Sequence, residues 1–203
     1  MAHPPSNKGM RFPPETLTAA EVEDLIKAAS NVAPTGIRNR ALMAVLYRCG
    51  LRLAEALALK PADIDLIHGT VRVLHGKGGK ARTVGIDSGA LAIVQRWIDT
   101  RDSHGIRGQI LFCTLAGRPV NPRDVREVLT RYAARAGITK RVHPHGLRHT
   151  HAAELALEGV PVNTIQAQLG HSNLSTTSTY LAHIAPWELV DAIRGRAWAV
   201  DAT

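Results

Sequence analysis

Thiols are nearly absent from this chain. Cys49 and Cys113 are the only cysteines among 203 residues, and they stand in unrelated settings. That argues against a disulfide framework and against a thiolate zinc cluster, and both residues read as small buried hydrophobes. No apolar run approaches the length of a membrane span. The opening Met1-Ala2-His3-Pro4-Pro5 lacks the apolar centre of a secretion signal. The expectation is a soluble cytoplasmic protein in a reducing compartment, with no membrane partner. Internal repeats and low-complexity tracts are missing as well. Tyrosine is scarce: Tyr47, Tyr132 and Tyr180 are all there are.

What the chain does have is positive charge. Lys and Arg number 25 against 17 acidic residues, a balance of +8 with a pI near 10.1. Such an excess favours a polyanionic partner, nucleic acid before anionic membrane, although a merely basic enzyme would fit the charge equally well. Apolar residues make up 45%, and the length suits one domain with a full core.

Residues 1–16 are rich in Pro, Gly and polar side chains and read as a loose arm, leaving 17–203 for the domain. Thr18 with Glu21 forms a capping box and opens a helix to about Ala29. A second helix is expected from about Arg38, with Ala41, Leu42, Val45 and Leu46 on one side, stopping at Gly50. A short one follows over Leu53 to Leu59. The period then changes: Val71–Leu74 and Ala81–Val84 read as strands joined by a turn with Gly76, Gly78 and Gly79, and Ile110-Leu111-Phe112 as a third strand. Helices resume over about 88–101, 121–136, 145–158 and 162–169. A short helix carrying Tyr180 and a last one from Pro186 to Trp198 complete the chain. The fold class is α+β, mostly α, with a small three-stranded antiparallel sheet.

Several residues have chemistry to offer. His145 and Arg148 stand three apart at a helix start, on one face, where backbone N–H groups and the dipole also favour a phosphate. A bidentate Arg148 would neutralise two non-bridging oxygens. Arg52 follows the helix-ending Gly50, and Glu55 one turn later is placed to orient its guanidinium. Taken singly, each is as readily a buried histidine or a solvated arginine. Lys77 lies in the glycine turn His75-Gly76-Lys77-Gly78-Gly79-Lys80, which lacks the spacing of a P-loop; there it could protonate a departing oxygen or simply sit at an exposed hairpin tip. Tyr180 sits in the polar stretch Ser175–Thr179, unusual surroundings for a core residue, whereas Tyr47 lies in an apolar helical run and reads as packing. A phenol near pKa 10 needs a base or a positive field to attack, and His145, His171 and the arginines would supply both. The density of His143, His145, His149, His151 and His171 also raises a metal site. Yet no glutamate falls between His145 and His149, no thiolate assists, and Arg148 would repel a dication.

In order, Arg52, Lys77, His145-Gly146-Leu147-Arg148-His149, Leu169-Gly170-His171-Ser172 and Tyr180 resemble the tyrosine recombinases, or phage integrases, over about Leu17 to His183. The resemblance implies that Arg52 and Arg148 clamp a scissile phosphate. It further implies that His145 and His171 hydrogen-bond it or move protons, that Lys77 is the general acid and that Tyr180 is the nucleophile. Glu55 and His149 match supporting positions. Double-stranded DNA is then the partner, no metal or ATP is required as cofactor, and the setting is a bacterial or phage-derived, nucleoid-associated one. The expected assembly is a monomer without DNA and a tetramer on it, the final helix docking on a neighbour or, more simply, packing on its own core. Lys80, Arg82, Lys140 and Arg141 are candidate contacts to the DNA backbone.

One departure from the family pattern stands out. Fewer than twenty residues precede the catalytic-type region, whereas family members usually carry an N-terminal helical DNA-binding domain. The expectation is a short recombinase like the fimbrial-switch inverting enzymes, a truncated mobile-element remnant, or an isolated domain, with site recognition aided by an accessory DNA-binding protein. Two rivals remain: a catalytically idle DNA-binding or regulatory remnant, and a metal-dependent hydrolase using the histidines.

Overall fold

A computed structural model describes residues 16–74 and 81–170. Lys77, Lys80, His171, Tyr180, the expected N-terminal arm and the helices expected at and after Tyr180 lie outside the described residues.

Helix α1, Ala19–Lys27, opens on the expected capping box: Glu21 N–H donates to Thr18 Oγ1 at 3.2 Å and Thr18 N–H to Glu21 Oε2 at 2.7 Å. Helix α2, Pro34–Arg48, begins four residues earlier than the apolar pattern suggests. Pro34 occupies the first turn, where its missing N–H costs nothing, and Ser30 Oγ accepts from Val32 and Ala33 to shape the approach. Ala41, Leu42, Val45 and Leu46 are all buried, as their spacing predicts. Helix α3, Leu53–Ala58, leads through a single 3₁₀ turn, Pro61–Asp63, into the sheet.

The sheet has the order β1-β2-β3, with β1 Ile64–Asp65, β2 Thr70–Val73 and β3 Arg82–Gly85, antiparallel throughout. Val71 faces Val84 and Val73 faces Arg82. The sheet is three-stranded and antiparallel as expected, but its third member is Ile64–Asp65, not Ile110–Phe112. That second segment has its backbone groups taken elsewhere. Leu111 N–H donates to Leu59 O at 2.6 Å, while Leu111 O accepts from Trp97 Nε1 and Arg101 Nη1. The composition of a buried apolar run fits a strand, but here the run is a loop whose backbone groups are met by Leu59 O and by the Trp97 and Arg101 side chains.

Helices α4, Ser88–Ser103, α5, Pro122–Arg135, α6, Pro144–Leu157, and α7, Val162–Leu169, complete the described chain. Helix α2 packs against both α4 and α6, α1 against α2 and α5, and α7 against α6 and β3. Burial is continuous along α6 from Gly146 to Ala153, so this helix runs through the interior. The C-terminal end of α2 is pinned by a polar cluster: Tyr47 Oη donates to Glu154 on α6, and Arg48 bridges Glu154 and the α4 cap Asp87. None of the helices among the described residues is long and apolar enough to cross a membrane.

Gly50 ends α2 with φ +61, and a Cβ there would lie 2.7 Å from both His151 Cδ2 and Leu169 Cδ2. The left-handed backbone and the close approach of α6 and α7 both require glycine. Gly50→Ala is therefore expected to lower unfolding stability by at least about 2 kcal/mol. Gly85→Ala, where a Cβ meets nothing within 4 Å, is the control and is expected to change far less. Urea denaturation of the two variants reads the difference, and equal midpoints would refute the close-packing account.

Candidate active site

Gly50 turns the chain so that Arg52 becomes the N-cap residue of α3, with extended backbone (φ −68°, ψ 148°). Glu55 is then the third residue of that helix and reaches back. Its Oε2 accepts from Arg52 N–H at 2.9 Å and its Oε1 from Arg52 Nη1 at 2.7 Å. This is the ion pair expected from the spacing. Arg82 on β3 joins it, giving Nη1 to Oε1 at 3.0 Å and Nη2 to Oε2 at 2.9 Å. Burial alone would raise the Glu55 carboxyl; the Arg82 guanidinium and the Arg52 donors outweigh it and hold it down at about 2. Glu55 is thus a fixed anion between two cations.

Helix α6 positions Arg148. His143 caps it, its Nδ1 accepting from Gly146 N–H at 3.0 Å, and Pro144 fills the first turn. Arg148 is only 2% exposed. Its Nη1 donates to Gly50 O, and its Nη2 to Leu169 O at 2.7 Å. The next carbonyl, Gly170 O, accepts from Arg52 Nη2 at 3.3 Å, and the preceding one, Gln168 O, from Arg82 Nε at 3.3 Å. Three guanidiniums from α6, β3 and the turn after α2 therefore meet three consecutive carbonyls at the C-terminus of α7. A helix end carries just these unpaired carbonyls and the negative pole of the dipole, so cations gather there.

His145 sits on the first turn of α6, exposed but with part of its ring sunk among neighbouring atoms. That partial burial, then the charges of Arg148, His143 and Arg52, lower its pKa. The imidazole is therefore held neutral at neutral pH, able to donate from one nitrogen and accept at the other. His145 stands three residues before Arg148 on α6, and Arg148 and Arg52 meet adjacent carbonyls at the end of α7, so His145 and Arg52 belong to one locus although 93 positions separate them. His149 is buried and packs edge-on against His145, ring centroids 4.0 Å apart. Arrangements of this kind can hold a tetrahedral or pentavalent phosphorus: fixed cations for the non-bridging oxygens and a neutral imidazole beside them.

The phage integrase family pattern matches residues 15–185. The chain belongs to the phage integrase family. Tyrosine recombinase XerC of Halalkalibacterium halodurans is 38% identical over 202 residues, spanning 96% of this chain and 65% of its own length. Tyrosine recombinase XerD of Ralstonia nicotianae is 38% identical over 177 residues, 85% of this chain and 56% of its own. The chain thus spans less than two thirds of the curated relatives it matches. Among solved structures, XerA recombinase superposes with a TM-score of 0.81 at 31% identity, covering 95% of this chain and 70% of that one. XerH site-specific recombinase bound to its palindromic difH substrate gives 0.75 at 27%, covering 91% and 54%.

Within this phage integrase chain the structure brings together Arg52, Glu55, His145, Arg148 and His149. Lys77, His171 and Tyr180 fall outside the described residues. The expected DNA contacts divide. Arg82 is turned inward onto Glu55, its side chain 13% exposed. Lys140 Nζ is paired with Glu21 Oε2 at 2.7 Å, tying the segment before α6 to the start of α1. Arg141 is exposed and Lys80 is outside the described residues. The inward turn of Arg82 has a sequence signal: in β3 it shares a face with the buried Val84, two residues on. Among the described residues, no three His, Cys, Asp or Glu side chains are placed to hold a metal ion.

His151, one of the histidines whose density raises a metal site in the sequence, belongs to the core. It is 4% exposed, and neither ring nitrogen finds a hydrogen-bond partner. Burial first, then the Arg48 and Arg148 charges, push its pKa down to about 4. The unfolded chain protonates this group near 6.5. The native state must stay neutral there, so its stability is present above that pH and is lost as pH falls toward 4. The loss attributable to His151 is about 3 kcal/mol over that interval. His151→Leu is expected to flatten this part of the stability-versus-pH curve, measured by urea denaturation at each pH. A variant curve parallel to wild type would refute the assignment.

Proposed function

We propose that this chain cuts and rejoins double-stranded DNA through a covalent 3′-phosphotyrosyl intermediate, as a site-specific recombinase. The observation that carries the reading is the meeting of Arg52 and Arg148 at Leu169 O and Gly170 O, directly before His171 in the chain.

In this reading Tyr180 Oη attacks the scissile phosphorus as its proton passes to a nearby base, His145 or His171 or a water they hold. The P–O5′ bond breaks, and Lys77 gives a proton to the departing oxygen. The products are a 3′-phosphotyrosine and a free 5′-hydroxyl. A 5′-hydroxyl of another strand then reverses the same steps, so the ligation energy is kept in the P–O–Tyr bond. Neither ATP nor a metal ion is needed for the balance. Arg52 and Arg148 stabilise charge on the non-bridging oxygens, and each such preorganised donor is worth roughly 3–4 kcal/mol in a dry site. The XerH structure carries a DNA substrate, in agreement with the basic balance of this chain. The reading extends to a DNA-bound tetramer formed from monomers and to an accessory DNA-binding protein.

The test uses a pool of duplexes with randomised sequence and a nick beside the cleavage position, so that a short 5′-hydroxyl fragment diffuses away and religation fails. Wild type is expected to form a covalent protein–DNA adduct with a subset of the pool, and Tyr180→Phe none. Arg52→Ala and Arg148→Ala are expected to slow adduct formation by at least about a hundredfold. Their non-specific DNA affinity, which rests on many phosphate contacts, is expected to hold. An adduct that survives in Tyr180→Phe, or no adduct with wild type on any member of the pool, would overturn the proposal.

A further inference from the structure

The carboxylate of Glu55 has one face suited to a two-pronged guanidinium, and Arg82 occupies it. Both Glu55 oxygens accept from Arg82, at 3.0 and 2.9 Å, in the parallel geometry that makes such pairs strong. Arg52 comes from the side, giving Glu55 only Nη1 and its own backbone N–H. The Arg52 side chain is 30% exposed and the Arg82 side chain 13%, so Arg52 is the more open of the two to solvent. Gly170 makes this possible. At φ +65 it has no Cβ, and one would lie 2.8 Å from Arg82 Cζ and Nε. The Arg82 guanidinium lies close against that glycine, its Nε reaching Gln168 O. Gln168 also exchanges two hydrogen bonds with Gly85, locking β3 to α7.

We propose that Arg82 is a positioning residue for Arg52: by occupying the two-pronged face of Glu55, it keeps that carboxylate from closing on Arg52. The Arg52 N–H groups beyond those given to Glu55 and to Gly170 O are thereby left for a phosphate. The inference rests on the reading of Arg52 as a phosphate-holding group. Without the Arg82 guanidinium, Arg52 is the one arginine bonded to Glu55 among the described residues, and the 3-residue spacing lets the side chain swing into a two-pronged pair. An incoming phosphate must then break a fork–fork ion pair before it is bound. A lysine at 82 keeps the charge but cannot span two oxygens at once.

Inorganic phosphate is the probe, titrated into the full chain while the Arg52 side-chain Nε–H signal is followed by NMR. Arg82→Lys is expected to keep a cooperative melting transition and to weaken phosphate binding at Arg52 by about five- to tenfold. In a Glu55→Gln background, where no carboxylate can close on Arg52, chains with Arg82 and with Lys at that position are expected to bind phosphate alike, within about twofold. That coupling separates positioning from general structural damage, which would weaken both backgrounds equally. Should Arg82→Lys lose its melting transition, Arg82→Gln, whose amide still donates to Glu55, is read in the same cycle. Unchanged phosphate affinity in the folded variant, an equal loss in both backgrounds, or no saturable phosphate response of Arg52 in wild type would each overturn the inference. The phosphotransfer reading is scored separately on the nicked duplexes. A wild type that binds phosphate as described but forms no adduct sinks that reading and leaves the role of Arg82 standing.

Discussion

Everything in the described site depends on the last turn of α7, eight residues long, and the three carbonyls at its end. Gln168 O, Leu169 O and Gly170 O each accept from a different arginine, Arg82, Arg148 and Arg52 in turn. Like charges do not assemble unaided. Here the orphan carbonyls of a helix terminus supply partial negative charge, and Glu55 supplies a full one between Arg52 and Arg82. Gly170 closes the helix in the left-handed conformation, with its N–H returned to Gln166 O and Ala167 O, so the carbonyls it frees point outward to the guanidiniums.

The rest of the fold can be understood as what brings three distant arginines to that point. Gly50 lets α2 end against α6 and α7, which delivers Arg52. The β2–β3 register puts Arg82 on the same face as Val84, which is anchored in the core. Helix α6, buried over most of its length, delivers Arg148 from inside. Burying a guanidinium costs several kcal/mol unless its donors are met, and here Arg148 meets two carbonyls from two different segments. The same hydrogen bonds that offset desolvation also fix the direction of the fork. Stability and preorganisation therefore share the same contacts.

Much of this was legible in the residues alone, and the exceptions have identifiable physical causes. The helices were marked by local chemistry, Thr18 with Glu21, the proline at 144 and the stop at Gly50, whereas the start of α2 at Pro34 lies ahead of its apolar pattern. The ion pair of Arg52 with Glu55 followed from helical spacing. Ile110–Phe112 misled because a buried apolar run has the same composition whether a strand or the side chains of Trp97 and Arg101 take its carbonyls. The charge of Arg82 suggests solvent and a DNA backbone contact, and in the sequence only its alternation with Val84 points to the interior. His151 was hidden among functional-looking neighbours, and nothing in its spacing separates a core imidazole from a working one.

The central claim is geometric: Arg52 and Arg148 hold one phosphate between them. The most direct measurement is a crystal structure of the Tyr180→Phe chain with a nicked duplex that it binds but cannot cleave. The account predicts both guanidiniums within about 2.7–3.2 Å of non-bridging oxygens on a single phosphorus, with His145 beside them. A phosphate contacted by Arg52 alone, with Arg148 still enclosed and directed only at Gly50 O and Leu169 O, would contradict it.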